Sequence, residues 1–414
     1  MALLGPMVVV AENPAAEAVE MLGKAGAFPI IEAKWADAAA AIDQIEPCAL
    51  LLAEPEPPPD PSLAQAVAER AAAADPVLPV LARLRKDTAL PLPDALAVSI
   101  DEPMGRLIER LSSALRIRAL HATVLRRSQG NARHGAMALP DCLDHATVIC
   151  VGRGGSYPAL SLATGERVGL IGALSVETAT RYLNSRDVDG IVIGDGFGPR
   201  VVEGLLKMLA DDARFRDLPV GVLGSQGGGE ERLTNLIHVE SNPARLIERL
   251  IPFVRLQAFA SHLNRFLNSL ESDGMLDPLT GLFAPQAFWS DLDRAVRAAE
   301  ASGSCLSVAR FSFEEMGDRR PHLDAARLFS RLVRNIDFAC QEQDGSILAA
   351  YTETDLRSAH VVARRIASVL KRTMLSPDDR RMIWPTVTLA TLKPDDDLST
   401  LVARVGTYPT VAAG

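Results

Sequence analysis

A chain of 414 residues with 48% hydrophobic residues and a formal net charge of −9 is long enough for roughly two to four soluble domains. The acidic balance excludes a general nucleic-acid binder and a polybasic membrane anchor, but not recognition of one small phosphorylated ligand by a few arginines. Five scattered cysteines (Cys48, Cys142, Cys150, Cys305, Cys340) with no CxxC pair argue against disulfide staples and a zinc site, and for a reducing cytoplasm. The N-terminal stretch turns acidic at Glu12 without a basic leader and reads as a first strand. No apolar run is long enough to span a bilayer, so no membrane insertion is expected, and no resident metal or cofactor either.

In chain order, the Val-rich run 6–11 predicts a buried strand, and the Ala/Glu/Leu pattern from Pro14 to Gly26 a helix closed by glycine. Strands follow at 29–31, 48–53, 78–84 and 96–100, with helices near 35–45 and 62–74. The alternation predicts a parallel sheet with helices on both faces. After the polar segment 128–141 the pattern returns, with strands at 146–152, 168–171, 190–194 and 218–224. Helices are expected near 175–185 and 199–211 and from about Asn242. This is a duplication of architecture with little identity, and 128–145 reads as the linker between a module at 1–127 and one at 146–251. From Pro252 to Leu270 an apolar stripe (Phe253, Leu256, Phe259, Leu263, Phe266, Leu267, Leu270) predicts an amphipathic connecting helix over 252–275. Such a helix packs within the chain or pairs with a second copy.

Both modules resemble receiver domains of two-component response regulators, whose chemistry needs an acidic Mg²⁺ cluster, an aspartate at the end of the third strand and a lysine after the fifth. In the first module Ala53 stands at the phosphoacceptor with Glu54 beside it, and Glu102-Pro103 replaces Lys-Pro. In the second, Gly194 or Asp195 occupies the acceptor region, and the first strand ends in VGRGG with no acid. Asp195 reads as a loop carboxylate, and both modules as pseudo-receivers.

The C-terminal part, 276–414, carries Asp277-Pro-Leu-Thr-Gly-Leu282 followed by Phe288 and Leu292. A strand at 306–313, a helix near 323–335, a hairpin, a helix near 356–371 and a strand at 384–390 come next. The motif and the order resemble the GGDEF (diguanylate cyclase) domain. Overall the reading is an α/β protein, with two receiver-like, flavodoxin-like parallel-sheet domains and an α+β, nucleotide-cyclase-like GGDEF domain. That layout resembles the PleD-type response regulators.

The resemblance also marks departures. Phe283 and Ala284 replace the Asn-Arg of the motif, and Arg310-Phe311-Ser312 stands where a metal-binding DxD segment belongs. The hallmark loop reads Gln343-Asp344-Gly345-Ser346-Ile347, so Gln343 and Asp344 replace the two glycines and Gly345 and Ser346 the two acids. The stretch 317–323 is short, and the closing helix of the family survives only as VGTYPT at 405–410. The resemblance therefore implies a domain without cyclase activity. It also implies a retained inhibitory-type site for cyclic di-GMP at Arg334 and Asp337, an RxxD placed nine residues ahead of the loop, with Arg365 as a second arginine. Arg offers a planar fork to phosphate or to a guanine Hoogsteen edge, and a carboxylate accepts from guanine N1–H and its amine. RxxD also occurs at Arg186–Asp189 and Arg214–Asp217, so the tetrapeptide alone carries little information, and the alternative for Arg334 and Asp337 is an ordinary surface ion pair. The expected partners are cyclic di-GMP, a second copy in a homodimer, and client or adaptor proteins of a protease and cell-cycle pathway, with recruitment to a cell pole. An arginine of another domain, Arg153 or Arg181, would complete the site. A scaffold without nucleotide binding and a residual cyclase are the alternatives.

Overall fold

The computed structural model describes residues 4–54, 58, 60–85, 88–128, 142–224, 233–272, 274–313, 320–334, 336–373 and 385–406. The chain divides into two compact units, one comprising 1–180 and 188–263 and the other 181–187 and 264–414. The readings placed on 129–141, 317–319 and 407–410 lie outside the described residues.

The first unit opens with β1 (Leu4–Val10), α1 (Ala16–Lys24), β2 (Phe28–Ala33), α2 (Trp35–Ile45), β3 (Ala49–Leu52), α3 (Pro61–Ala73), β4 (Val80–Leu84), β5 (Leu96–Ser99) and α4 (Met104–Ser128). The strands pair in parallel in the order β2-β1-β3-β4-β5. Val8, Val10, Leu50 and Leu52 face one core, and Met7, Val9 and Leu51 the other. Burial on both faces is why these strands read as continuous apolar runs.

A short 3-10 turn (Cys142–His145) leads into β6 (Thr147–Val151), α5 (Tyr157–Gly165), β7 (Gly169–Ala173), α6 (Val176–Ser185), β8 (Gly190–Ile193), α7 (Pro199–Asp211), β9 (Val220–Leu223), β10 (Leu236–Val239) and α8 (Pro243–Glu271). The sheet order, β10-β9-β8-β6-β7, is again first strand second from one edge with all pairs parallel. Both sheets have the flavodoxin-like 2-1-3-4-5 order.

The duplication reaches further than architecture. The hexapeptide Arg-Leu-Ile-Glu-Arg-Leu occurs at 106–111 on α4 and again at 245–250 on α8. Its leucines (Leu107, Leu111, Leu246, Leu250) join one core shared by the two modules. Its arginines cross between modules. Arg110 is 2% exposed and donates to Leu236 O (2.6 Å), Thr234 O (3.2 Å), Ala97 O (2.6 Å) and Glu102 Oε2 (2.9 Å). The matching Arg249 donates to Arg85 O (2.7 Å) and Thr88 O (3.0 Å) of the first module. A buried guanidinium is tolerable only when its charge and donors are satisfied. Each module thus supplies the carbonyls that let the other bury its arginine.

Sequence reasoning split α8 at Pro252, whereas the helix runs unbroken through it. Proline removes one backbone bond, but Pro252, Phe253 and Val254 are all buried, and that packing holds the helix through the gap. Phe253, Phe259, Leu263, Phe266 and Leu270 are buried too, so within this chain the apolar stripe packs internally.

The second unit contains α9 (Pro285–Ser302), β11 (Leu306–Ser312), α10 (Arg320–Leu332), β12 (Phe338–Gln341), β13 (Ile347–Thr352), α11 (Leu356–Thr373), β14 (Thr386–Thr391) and α12 (Leu398–Ala403). Its sheet is antiparallel, in the order β12-β13-β11-β14. Alternation along β11 sends Ala309 and Phe311 toward α10 and α11, and Leu306 and Val308 toward α9 and α12. No described helix of either unit is long and apolar enough to cross a membrane.

Arg110→Met is expected to lower the stability of the first unit by about 3 kcal/mol or more, because carbonyls and Glu102 lose a buried partner. Urea unfolding of the full chain measures it, and Arg249→Met should act in the same direction.

Candidate ligand-binding site

At Ala53 and Gly194, the positions compared above with a phosphoacceptor, the geometry is the same in both modules. The backbone N–H of Ala53 donates to Val10 O (3.0 Å), and that of Gly194 to Val151 O (2.7 Å). These residues therefore occupy equivalent places, and neither has a functional side chain. A Cβ on Gly194 would lie 2.8 Å from Leu160 Cδ1, so a larger residue there would require repacking. The carboxylate one residue on is a clasp in each case. Glu54 accepts from Glu12 N (2.8 Å), Asn13 N (2.9 Å) and Asn13 Nδ2 (2.9 Å). Asp195 accepts from the Ser156 hydroxyl and from Ser156 N (3.1 Å). The Ser156 hydroxyl bond is the main reason the Asp195 pKa lies below the usual carboxylate value. Glu102 is the ion-pair partner of Arg110.

The DPLTGL segment of the second unit is a turn closed by its own aspartate. Asp277 Oδ1 accepts from Leu279 N (2.6 Å), and Gly281, at φ +73°, returns its N–H to Asp277 O. The β12–β13 hairpin then presents Gln343 and Asp344 to solvent and turns through Gly345 at φ +82°. Arg310, on the neighbouring strand β11, reaches across it. Its guanidinium bonds Asp344 Oδ2 (2.5 Å), Ser346 Oγ (3.2 Å) and Gly406 O (2.7 Å), with Glu342 Oε2 at 3.4 Å. Burial alone would push the Asp344 carboxyl up, but the Ser346 bonds and the Arg310 charge hold it below the usual value. A cation supplied by the protein thus neutralises the hairpin acids. The His322 ring closes the other side, since a Cβ on Gly345 would lie 2.2 Å from His322 Cδ2. Among the described residues no group of three or more His, Cys, Asp or Glu is placed to hold a metal ion.

Arg334 lies beyond the end of α10, not inside the helix predicted to reach 335. The chain turns there through an Asp337 N–H bond to Arg334 O (3.0 Å) and enters β12. Asp337 is 8% exposed, and its Oδ1 accepts from Thr352 N on β13 (3.1 Å). Burial raises its pKa above the usual aspartate value, opposed by the Thr352 bond and the nearby Arg334 charge. The Arg334 side chain is exposed and makes no ion pair with Asp337 in the structure, so the RxxD here is not a closed salt bridge.

Arg365 is exposed on α11. Its charge and that of Asp337 both act on the Tyr351 phenol, whose pKa is raised chiefly by burial. Asp337 and Arg365 are therefore electrostatic neighbours of Tyr351, and Arg334 is one of Asp337. That tyrosine was not singled out from the sequence. It is 1% exposed, and its hydroxyl has no hydrogen-bond partner. Its only signal in the sequence is a phenol amid the alanines of ILAAYT.

The decoy motifs resolve differently. Arg214 pairs with Asp212 (2.7 Å) and Asp217 with Arg116 (2.9 Å), while Asp189 accepts from Thr147 N (2.9 Å). Arg153 donates to Gly196 O (2.9 Å) and stacks over Phe197 in its own module.

No family model matches the chain, and no curated protein matches it. Among solved structures the chain is similar to GGDEF domains. One is the coiled coil and GGDEF domain of DgcB from Caulobacter crescentus in complex with c-di-GMP. It shows 18% identity over 35% of this chain and 83% of that one, at a TM-score of 0.31. Another is the diguanylate cyclase SiaD, in complex with its activator SiaC, from Pseudomonas aeruginosa. It shows 20% identity over 34% of this chain and 60% of that one, at 0.31. A third is the FimX GGDEF domain from Pseudomonas aeruginosa, with 15% identity over 32% and 89%, at 0.28.

With Glu54 and Asp195 committed to backbone clasps, incubation with acetyl phosphate and Mg²⁺ should leave the intact mass of the chain unchanged. A stable phosphoryl adduct mapped to Asp195 would show that its clasp opens.

Proposed function

We propose that this chain is a non-catalytic receptor for cyclic di-GMP that acts as a signalling adaptor. The observation that carries the reading is the contrast between two arginines. Arg310 is committed to the hairpin acids, whereas Arg334 stands exposed beside a buried, backbone-anchored Asp337. The first arrangement leaves Asp344 and Glu342 of the hairpin beside an internal cation, where a metal–GTP complex would need free carboxylates. The second offers a guanidinium fork for a phosphate or a guanine edge, and a carboxylate oriented to accept from guanine N–H groups. Arg365 adds a second positive charge to the same place.

The layout, with both phosphorylation and cyclase chemistry lost, resembles the adaptor PopA. By that resemblance the chain works in the cytoplasm as a homodimer, is recruited to a cell pole, and delivers clients to a protease pathway of the cell cycle.

Titration calorimetry with cyclic di-GMP tests the ligand. Saturable heat at micromolar protein is expected, and Arg334→Ala should weaken binding at least tenfold, about 1.4 kcal/mol or more, without loss of thermal stability. No heat for the unaltered chain would leave a scaffold that binds no nucleotide. GTP with Mg²⁺ or Mn²⁺ should give no cyclic di-GMP, and robust turnover would establish a residual cyclase.

The pH dependence follows from Asp337. Only its ionised form accepts two N–H donors, and its pKa lies above the ordinary aspartate value. Affinity should therefore be steady near neutral pH and fall as pH drops through that raised pKa. Asp337→Asn should bind weakly with a flat profile over the same range.

A further inference from the structure

Helix α11 (Leu356–Thr373) contains no acidic residue, in a chain whose net charge is −9. The last acids before it, Glu353 and Asp355, stand ahead of its first turn, and Asp355 caps that turn by accepting from Ser358 N (2.7 Å). Ala359, Ala363, Ile366 and Leu370 bury the inner face in the core of the second unit.

The opposite face differs from an ordinary solvated one. At about 100° per residue, Arg357, Val361, Arg364 and Ser368 fall within a sector of roughly 60° on the side away from those buried residues. His360 and Arg365 flank the sector, and all six side chains are exposed. Val361 is 66% exposed at the centre of this face, where an amphipathic helix should be polar. Leu356 at the helix start is exposed as well, and so is Ile336. Thr352 Oγ1 donates to Ile336 O (2.8 Å), which ties the turn carrying Ile336 to the end of β13, from which α11 departs. Of the seven large apolar side chains that stand exposed among the described residues, these are three, so exposed apolar surface is concentrated here.

The arginines of the face are uncommitted. Among the described residues, Arg357, Arg364 and Arg365 form no hydrogen bond or ion pair. On α4, by contrast, Arg110, Arg116 and Arg118 are held by Glu102, Asp217 and the Val77 carbonyl. An aliphatic centre between arginines is the chemistry of a protein-interface hot spot.

We propose that this face of α11 docks an acidic segment of a partner protein. An aliphatic side chain of the segment meets Val361, and its carboxylates meet the guanidinium groups of Arg357 and Arg364. Charge complementarity selects the occupant. A nucleic acid, as an extended polyanion, would also meet the acidic remainder of the chain, which repels it. A short segment presents its charge to the stripe alone. A bilayer takes up the apolar face of a helix, and that face of α11 is spent on the core. From Arg357 to Ser368 the stripe is about 17 Å long, the reach of three turns of a docked helix. The docking face does not depend on the cyclic di-GMP reading, which uses Arg365 but none of Arg357, Val361 and Arg364.

A fluorescein-labelled helical peptide of glutamates, with leucines at spacings of three and four, serves as probe for the full chain, read by fluorescence anisotropy. Saturable binding at micromolar protein is expected. Arg357→Glu combined with Arg364→Glu should weaken it at least tenfold while circular dichroism stays unchanged, and Val361→Ser should weaken it severalfold. Arg200→Glu combined with Arg216→Glu makes the same change of net charge at exposed positions elsewhere, and should bind as the unaltered chain does. If the charge-reversed chain does not fold, Arg357→Gln combined with Arg364→Gln carries the same comparison. No saturable binding, undiminished binding in the folded α11 variant, or an equal loss in the Arg200 and Arg216 variant overturns the site. Tighter binding of a DNA duplex or of phosphatidylglycerol vesicles than of the peptide overturns the choice of partner. Self-association of the chain that is lost with the same two arginines would assign the face to a second copy, and overturns that choice too.

Discussion

A carboxylate that enters the interior must have its oxygens met by donors, and Asp337 meets this constraint with one oxygen on the Thr352 amide. That bond ties the start of β12 to the end of β13 and fixes where the chain leaves the turn after α10. The second oxygen forms no hydrogen bond within the described structure, and Arg334, whose charge acts on it, is exposed. Burial and anchoring pre-organise the acceptor, so little ordering is left to a ligand. The neighbouring Arg365 charge and the unpartnered Tyr351 hydroxyl are arranged around this one fixed point.

The other acids that could have carried chemistry are occupied from within. Glu54 and Asp195 hold the loops after the first strand of their modules, Glu102 neutralises Arg110, and Asp344 is held by Arg310 and Ser346. Each has become part of the fold's own support. The paired RLIERL arginines follow the same logic between modules, where burial of a cation in one depends on carbonyls of the other.

Much of the fold was legible because its strands are buried on both faces. VVV, ALLL, TVICV and GIVI are short apolar runs between helical patterns, and they fall in register where expected. LIHV, as β10, escaped notice because its third residue is a polar His238 and the run is only four long. The break at Pro252 was read from local propensity, which burial of Pro252, Phe253 and Val254 overrides. The RLIERL repeat was visible in the letters alone, but its meaning lies in Arg110 and Arg249 crossing to the opposite module, which spacing cannot show. At the candidate site, register singles out Arg334, Asp337 and Arg365, and the structure places Asp337 and Arg365 within electrostatic reach of Tyr351. Tyr351 itself is not singled out, because a buried phenol in a strand carries no pattern that separates it from core. The role of Arg310 was half legible: a cation at a metal position speaks against the metal, but its grip on Asp344 and Ser346 requires the β11–β13 pairing.

Native mass spectrometry of the full chain, mixed with equal concentrations of cyclic di-GMP and GTP in the presence of Mg²⁺, tests the central claim most directly. Retention of cyclic di-GMP, with GTP neither retained nor consumed, is the expected result. A chain that holds GTP, turns it over, or carries cyclic di-GMP equally well after Asp337→Ala would contradict it.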